Sequence, residues 1–205
     1  MTIRQDQMQR ATARRIAEAA TALFLQRGYR ATTIADLAAE AGVAIQTIYN
    51  VVGSKAAVLN LVLDETVSGS EAPRPVPEFM SRRTEQLADA TDIIDVLADW
   101  FVEVHARSGP VFRMIREAAA VDSEVAAFER EREDRRMANY RMPARLMVEK
   151  SPRRCRLGEE EAAAAIWSLA HPRVYQKLVS EGVWSPERYR QWLVVALTGA
   201  LLEPE

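Results

Sequence analysis

The chain has 205 residues, of which 48% are apolar and 27% are charged, and its net charge at pH 7 is −2. This composition is typical of a globular protein with one large domain or two small ones. No run of about 18 apolar residues exists, so no membrane span is expected. The polar N-terminus lacks the apolar core of a signal peptide, so the expected location is the cytoplasm.

The charge is distributed unevenly along the chain. Residues 1–60 hold 7 Lys/Arg against 4 Asp/Glu, a balance of +3, whereas residues 61–205 hold 20 against 25, a balance of −5. Residues 1–8 are predicted to be a mobile arm, and the apolar positions from Ile16 to Phe24 repeat at the spacing of an amphipathic helix. The N-terminal part is therefore a basic, helical region, as a DNA-binding domain would be.

The segment from Thr32 to Lys55 predicts two short helices joined by a tight turn. Thr33 is a suitable N-cap, and Asp36 lies in the first turn, where a carboxylate is favoured. Apolar residues then recur at helical spacing until Gly42, which can end the helix in a left-handed conformation. A second helix is predicted from Ile45 to Val51, so the segment forms a helix-turn-helix.

The second helix presents polar groups outward and no carboxylate that would repel DNA. Ile48 points inward, and Ile45 is placed where it can touch a thymine methyl group. Ser54 caps a fourth helix whose first residue, Lys55, would lie beside DNA phosphates. The predicted DNA-contacting residues are Thr33, Ala44, Ile45, Gln46, Thr47, Tyr49, Asn50 and Lys55.

The N-terminal quarter of the chain resembles the DNA-binding domain of the TetR family of bacterial transcriptional repressors. The resemblance rests on Arg15-Ile-Ala-Glu-Ala-Ala, Gly28-Tyr29, Thr32-Thr-Ile-Ala-Asp-Leu-Ala, Thr47-Ile-Tyr and Gly53-Ser-Lys. It implies that Thr33, Gln46, Thr47, Tyr49 and Lys55 meet DNA. The family often has Ser or Thr where Ala44 stands, so this sequence has a weaker N-cap on its recognition helix.

Three prolines between residues 71 and 77 interrupt the helical pattern and mark a predicted boundary between domains 1–70 and 71–205. The rest of the chain has helical periodicity without the alternation of a strand. Breaks are expected at Gly109-Pro110, Pro143 and Pro172. Residues 129–136 predict a solvated helix face with internal ion pairs. The predicted fold is all-α. It consists of an N-terminal three-helix DNA-binding domain, called the reading domain below, and a C-terminal helical bundle.

The last two predicted helices resemble the C-terminal pair with which TetR-family proteins dimerise. A homodimer would supply the two-fold symmetry for reading a palindromic double-stranded DNA operator; the alternative is that this apolar face packs inside one subunit. The predicted interface residues are Trp167, Val174, Tyr189, Trp192, Leu193, Ala196, Leu197 and Leu201.

Reactive groups that could form a catalytic or metal site are few, so neither enzymatic activity nor a cofactor is expected. Cys155 is the single cysteine, which argues against a cysteine-based metal site. Aromatic, Met and His residues between positions 90 and 180 favour a pocket for an apolar or aromatic effector, although each of them could also be plain core. They are Trp100, Phe101, His105, Phe112, Met137, Tyr140, Trp167, His171 and Tyr175.

The sequence therefore predicts a homodimeric, ligand-responsive repressor. Two alternatives remain open: a helical enzyme or binding protein in which the helix-turn-helix is only a scaffold, and a DNA-binding regulator without a ligand.

Overall fold

The computed structural model describes residues 3–69, 82–84 and 87–204, with the side chains of residues 3, 4 and 6 left out. Within these ranges the chain is helical and has no strand, only an isolated β-bridge between Cys155 and Leu202. The all-α prediction is confirmed. The proline-containing segment 71–77, on which the predicted domain boundary rests, lies outside the described residues.

The helices follow the predicted order. They are α1 (Ile3–Arg27), α2 (Ile34–Ala41), α3 (Ile45–Val51), α4 (Lys55–Ser68), α5 (Ala90–Ala119), α6 (Ser123–Asn139), α7 (Arg141–Lys150), α8 (Glu159–Leu169), α9 (Pro172–Tyr175) and α10 (Pro186–Leu201). A π-helical turn, Gln176–Ser180, follows α9 directly. The chain divides into two compact units, residues 1–73 with 110–131, and residues 74–109 with 132–205. Helices α5 and α6 each contribute to both units.

The first unit is built around α1, which packs against α2, α3 and α4. Ile16, Phe24, Leu37 and Ile48 are 0–1% exposed at the centre of this packing. The same apolar cluster includes side chains from the end of α5 and the start of α6, namely Val111, Met114, Ile115, Ala118 and Val125. The core of the reading domain is therefore completed by residues that lie more than 40 positions further along the chain.

Two expectations about helix ends were wrong. Residues 3–8 belong to α1 rather than to a mobile arm, because no Gly or Pro interrupts the run of helix-compatible residues before Gly28. Helix α5 also continues through Gly109-Pro110. Proline removes one backbone hydrogen bond, but Val111 and Met114 beyond it are buried in the first unit's core, and that burial favours the continuous helix.

In the second unit α7 packs against α8, and α8 against α10. The predicted interruptions at Pro143 and Pro172 are confirmed. Pro143 lies in the first turn of α7, after the break at Tyr140. Pro172 opens α9, whose N-cap is His171, so the predicted helix from 159 to 180 is divided into α8, α9 and the π-helical turn.

Candidate DNA-binding face and effector site

Helix α3 is held by one buried residue and by the turn that precedes it. Gly42 adopts φ 62° and donates its N–H to carbonyls at the end of α2, a conformation that glycine adopts without steric cost. Ile48 is fully buried beneath α3. Ala44 is the N-cap but supplies no side-chain hydrogen bond. The turn and Ile48 therefore fix the helix, while its first N–H groups remain available to an external acceptor.

The outer face of α3 exposes a mixed polar and apolar surface. Ile45 and Tyr49 are 48% and 51% exposed, and Thr47 is half-buried. Gln46 and Asn50 are exposed one turn apart, and Gln46 Nε2 donates to Asn50 Oδ1 at 3.0 Å. This pairing leaves one amide hydrogen on Gln46 and both amide hydrogens of Asn50 for base edges or phosphates.

Thr33 performs a structural role at the start of α2. Its hydroxyl accepts from the Asp36 N–H at 3.1 Å, and the Asp36 carboxylate accepts from the Thr33 N–H at 2.8 Å. These bonds form the predicted cap as a capping box. The hydrogen bonds from Thr33 hold the pKa of Asp36 below its usual value.

The half-buried Lys55 side chain is bonded to the first unit through its ammonium group. It donates to the Tyr29 and Thr32 carbonyls, each at 3.1 Å, and lies 4.2 Å from the centre of the Tyr29 ring. An ammonium has three N–H donors, so one remains after these two bonds. Ser54 caps α4 by accepting from the Ala57 N–H at 3.1 Å, as the sequence predicts.

Two carboxylates at the start of α6 bond to the same region. The Tyr29 hydroxyl donates to Asp122 at 2.7 Å, and the Ser54 hydroxyl donates to Glu124 at 2.5 Å. The Tyr29 hydrogen bond lowers the pKa of Asp122, whereas burial and then Asp122 raise that of Tyr29. The sequence analysis missed these contacts, because the partners lie 70 or more positions apart.

A basic residue of α1 is also engaged internally. Arg15 Nη2 donates to the Ala41 carbonyl at 3.1 Å and to the Gly42 carbonyl at 3.4 Å. These carbonyls end α2, where a cation is favoured. Arg15 therefore fixes the turn of the helix-turn-helix.

In the second unit the structure brings together aromatic rings around a buried histidine. The His105 ring is stacked on Phe101 at 5.7 Å between centroids and lies 5.7 Å from Tyr175. Tyr140 meets Phe101 edge-on at 5.6 Å, and Tyr189 meets Tyr175 edge-on at 4.9 Å. We call these five residues, Phe101, His105, Tyr140, Tyr175 and Tyr189, the aromatic cluster.

The break between α8 and α9 fixes the tautomer of His105. Its Nε2 lies 2.9 Å from the Ala170 carbonyl. Because a carbonyl oxygen only accepts, Nε2 must carry the proton and Nδ1 must be an acceptor. Burial lowers the pKa of His105 to about 3, so the neutral ring is the form present near neutral pH.

Five predicted effector residues, Trp100, Phe112, Met137, Trp167 and His171, lie outside the aromatic cluster. Phe112 packs against the core of the first unit, so it does not belong with the aromatic cluster. Trp100 is buried, and the Arg107 guanidinium carbon lies 5.2 Å from the centre of the Trp100 ring. Trp167 meets His171 edge-on at 5.8 Å. Met137 is half-buried in α6.

Two charged residues near the aromatic cluster were predicted to belong to a solvated face with internal ion pairs. The ion pairing is confirmed for them, but the solvation was wrong. Arg136 pairs with Glu133 at 2.5 Å, and their side chains are only 16% and 34% exposed. Burial raises the pKa of Glu133, but the His171 hydrogen bond and the charge of Arg136 outweigh it and lower the value. Glu133 lies seven residues and Arg136 four residues before Tyr140, so helical spacing could have indicated that all three side chains share one face.

The predicted dimer residues fall into two groups. Tyr189, Leu193, Leu197 and Leu201 are 0–2% exposed within the single chain, so they leave no surface for a partner. Side chains with accessible surface are Trp167, Val174, Trp192 and Ala196. Val195, which the sequence analysis did not select, is 71% exposed on α10. Trp192, Val195 and Ala196 therefore form an accessible apolar side of α10 that a partner could contact.

Among the described residues, no group of three or more His, Cys, Asp or Glu side chains could hold a metal ion. None of the described helices combines the length and the hydropathy needed to cross a bilayer.

Comparison with known proteins identifies the N-terminal region. Residues 9–62 match the model described as "Bacterial regulatory proteins, tetR family". No curated protein matches the sequence. The matched residues contain the whole of α2 and α3 and most of α1 and α4, and so include the exposed face described above.

Solved structures share the fold over nearly the whole chain. A transcriptional regulator from Saccharomonospora viridis in complex with choline is 21% identical, with a TM-score of 0.67 over 94% of this chain and 98% of that one. NalD, the secondary repressor of the MexAB-OprM multidrug efflux pump in Pseudomonas aeruginosa, is 17% identical, with a TM-score of 0.71 over 94% and 96%. A TetR-family regulator from Syntrophomonas wolfei is 17% identical, with a TM-score of 0.72 over 92% and 93%.

Proposed function

Since this chain is a transcriptional regulator of the TetR family, we propose that it is a homodimeric repressor that binds a palindromic operator and is released by a small effector. The observation that best supports DNA binding is the exposed face of α3. It combines Gln46, Tyr49 and Asn50 with an apolar Ile45 and has no charged group, a set suited to base edges and thymine methyl groups.

We assign contacts with the DNA phosphate backbone to Tyr49 and Lys55. Tyr49 is half exposed, and its hydroxyl can donate to a phosphate. The third N–H of Lys55 can do the same while the other two hold the Tyr29 and Thr32 carbonyls. Lys55 is then both a structural and a DNA-contacting residue. An operator lies with the chromosome, so we place the protein in the cytoplasm.

We assign the dimer contact to the open side of α10. Val195 lies between Trp192 and Ala196, and Gly199 follows one turn after Val195. A two-fold interface uses the same patch on both partners, and a glycine allows two helices to approach closely. This symmetry would place two α3 helices on successive major-groove faces.

We assign the effector to the aromatic cluster. The solved structures that share this chain's fold include a regulator bound to choline and a repressor of a multidrug efflux pump. They support the proposals that this protein responds to a small molecule and that it represses transcription. Helix α5 gives Phe101 and His105 to the cluster and, further along, Met114 and Ile115 to the core of the reading domain. An effector alters operator affinity only by as much as it prefers one state.

The test uses an exposed variant that leaves the core untouched. Genomic fragments that bind the wild-type protein in a gel shift are titrated with Tyr49→Ala. Val183→Ala serves as a control, because Val183 is 97% exposed and belongs to the second unit. We expect about thirtyfold weaker binding for Tyr49→Ala, from two lost bonds of about 1 kcal/mol each per dimer. Equal binding by both variants would refute the assignment, and the absence of any bound fragment would favour the scaffold alternative.

A further inference from the structure

The second unit contains buried polar atoms that lack a hydrogen-bond partner. In its described part these include His105 Nδ1, Arg136 Nε and the Tyr189 hydroxyl. His105 and Tyr189 are 4% and 0% exposed. Buried polar groups in native proteins nearly always have partners. They occur beside one group of aromatic rings, so a molecule with matching polar atoms could supply the missing partners.

The hydrogen-bonding role of two of these atoms, as donor or acceptor, is fixed. His105 Nε2 donates to the Ala170 carbonyl, so Nδ1 is an acceptor and needs a donor from the ligand. Arg136 Nε carries a hydrogen and has no lone pair to offer, so it needs an acceptor. A hydroxyl group satisfies both requirements, because it donates through its hydrogen and accepts through its oxygen.

The surroundings select an aromatic and uncharged ligand. Phe101 and Tyr175 lie on the His105 ring, and aromatic faces pack well against another ring. Burial lowers the pKa of His105, and the charge of Arg136 adds to that effect. Burial raises the pKa of Tyr140 to about 12, and the same charge opposes that effect. Arg136 therefore lies close to both rings, and its positive charge disfavours an added cation. The Glu133 carboxylate is already paired with Arg136. A carboxylate ligand is disfavoured as well, since it has no hydrogen to donate to Nδ1.

We propose that the aromatic cluster binds a small phenol whose hydroxyl donates to His105 Nδ1 and accepts from Arg136 Nε. This inference rests on the proposed function, because it names the chemistry of the effector assigned above. The Tyr189 hydroxyl is available to a second polar substituent on the same ring. The break at Ala170–Pro172 and the π-helical turn after Tyr175 border the cluster with non-α-helical backbone, and such turns are frequent at functional sites.

The decisive experiment compares three ligands of nearly the same shape on the wild-type protein without DNA. They are 4-methylphenol, which donates and accepts, 4-methylanisole, which only accepts, and toluene, which does neither. Isothermal titration should give saturable binding of 4-methylphenol and at least about tenfold weaker binding of 4-methylanisole, because the ether leaves Nδ1 unpaired. Toluene should bind no better than the ether. Undetectable binding of 4-methylphenol, or equal affinity for phenol and ether, would overturn the proposal.

Two variants assign the preference to named atoms. His105→Phe keeps a ring but removes the acceptor, so 4-methylphenol and 4-methylanisole should then bind within about twofold of each other. Arg136→Lys keeps the charge but removes Nε–H, so both oxygen-containing ligands should weaken together while the phenol stays preferred. If His105→Phe fails to fold, the wild-type ligand series and Arg136→Lys still test the proposed phenol site. A tenfold phenol preference that survives in a folded His105→Phe variant would place the ligand elsewhere.

Operator titration separates this inference from the proposed function. Release of the operator by 4-methylphenol, with little effect of the ether, supports both. Selective phenol binding without any change in operator affinity would support the binding site and refute the coupling to DNA.

Discussion

Replacement of Lys55 by Met should weaken both the fold of the reading domain and its hold on DNA. The ammonium bonds the Tyr29 and Thr32 carbonyls at 3.1 Å and lies over the Tyr29 ring. Lys55 is half-buried, so we take about 1 kcal/mol for each bond and about 0.5–1 kcal/mol for the ring contact. The free energy of unfolding should fall by about 2.5–3 kcal/mol, which urea titration measures.

The effect on DNA is measured separately, as the slope of log K against log salt. If the third N–H of Lys55 contacts a phosphate, a dimer loses two contacts, and the slope should become shallower by about 2. Lys150→Met is a matched control, because Lys150 also donates to a backbone carbonyl, that of Leu87 at 2.7 Å, but in the second unit. It should lose stability with no change in slope. An unchanged slope for Lys55→Met would refute the phosphate contact, and unchanged stability would refute the internal role.

Four further predictions follow from single features. Ala44→Ser should raise the free energy of unfolding by about 0.5–1 kcal/mol in urea titration, since the N-cap of α3 has no side-chain bond; no gain would mean that the cap is satisfied otherwise. Gln46→Ala should relax the preference at one base pair per half-site by about 1–3 kcal/mol in a binding-site selection, and a uniform loss would show that Gln46 contacts the backbone. Val195→Glu, at a 71% exposed position, should sediment as a folded monomer with weak operator binding, whereas a dimer would place the interface elsewhere. The pKa of His105 is lowered to about 3 in the native protein, below its unfolded value of about 6.5. The contribution of His105 to the free energy of unfolding is therefore fully present above about pH 6.5 and is lost by about 1.4 kcal/mol per pH unit as the pH falls from about 6.5 to 3. The difference in unfolding free energy between the wild-type protein and His105→Phe should show this slope, and parallel curves would contradict it.

Much of the reading domain could be predicted from the sequence because its signals are local. Thr33, Asp36 and Gly42 form the caps of α2 through bonds to residues at most four positions away. Ser54 caps α4 in the same manner. The burial of Ile48 follows from helical spacing alone. Local patterns of this kind do not depend on the rest of the fold, so they can be found in the sequence alone.

The partners of charged and polar groups could not be predicted in this way. Residues 129–136 have the pattern of a solvated face, yet Arg136 and Glu133 lie half-buried or deeper. Lys55 was predicted beside phosphates, and its ammonium also bonds two carbonyls more than 20 positions earlier in the chain. Long side chains reach partners that depend on which helices meet, and helical periodicity does not contain that information.

The sequence by itself determined the helix-turn-helix, the helical class of the rest and the residues that α3 exposes. The tertiary structure decided which apolar residues remain available to a partner and which aromatic residues meet. Leu193, Leu197 and Val195 are all apolar residues of one helix, but the first two are buried within the chain and Val195 is exposed. Phe112 and His105 lie on the same helix, yet Phe112 packs in the reading domain and His105 in the aromatic cluster. Apolar character favours burial against any apolar surface because the hydrophobic effect has no direction, so only the packing of the helices selects the surface.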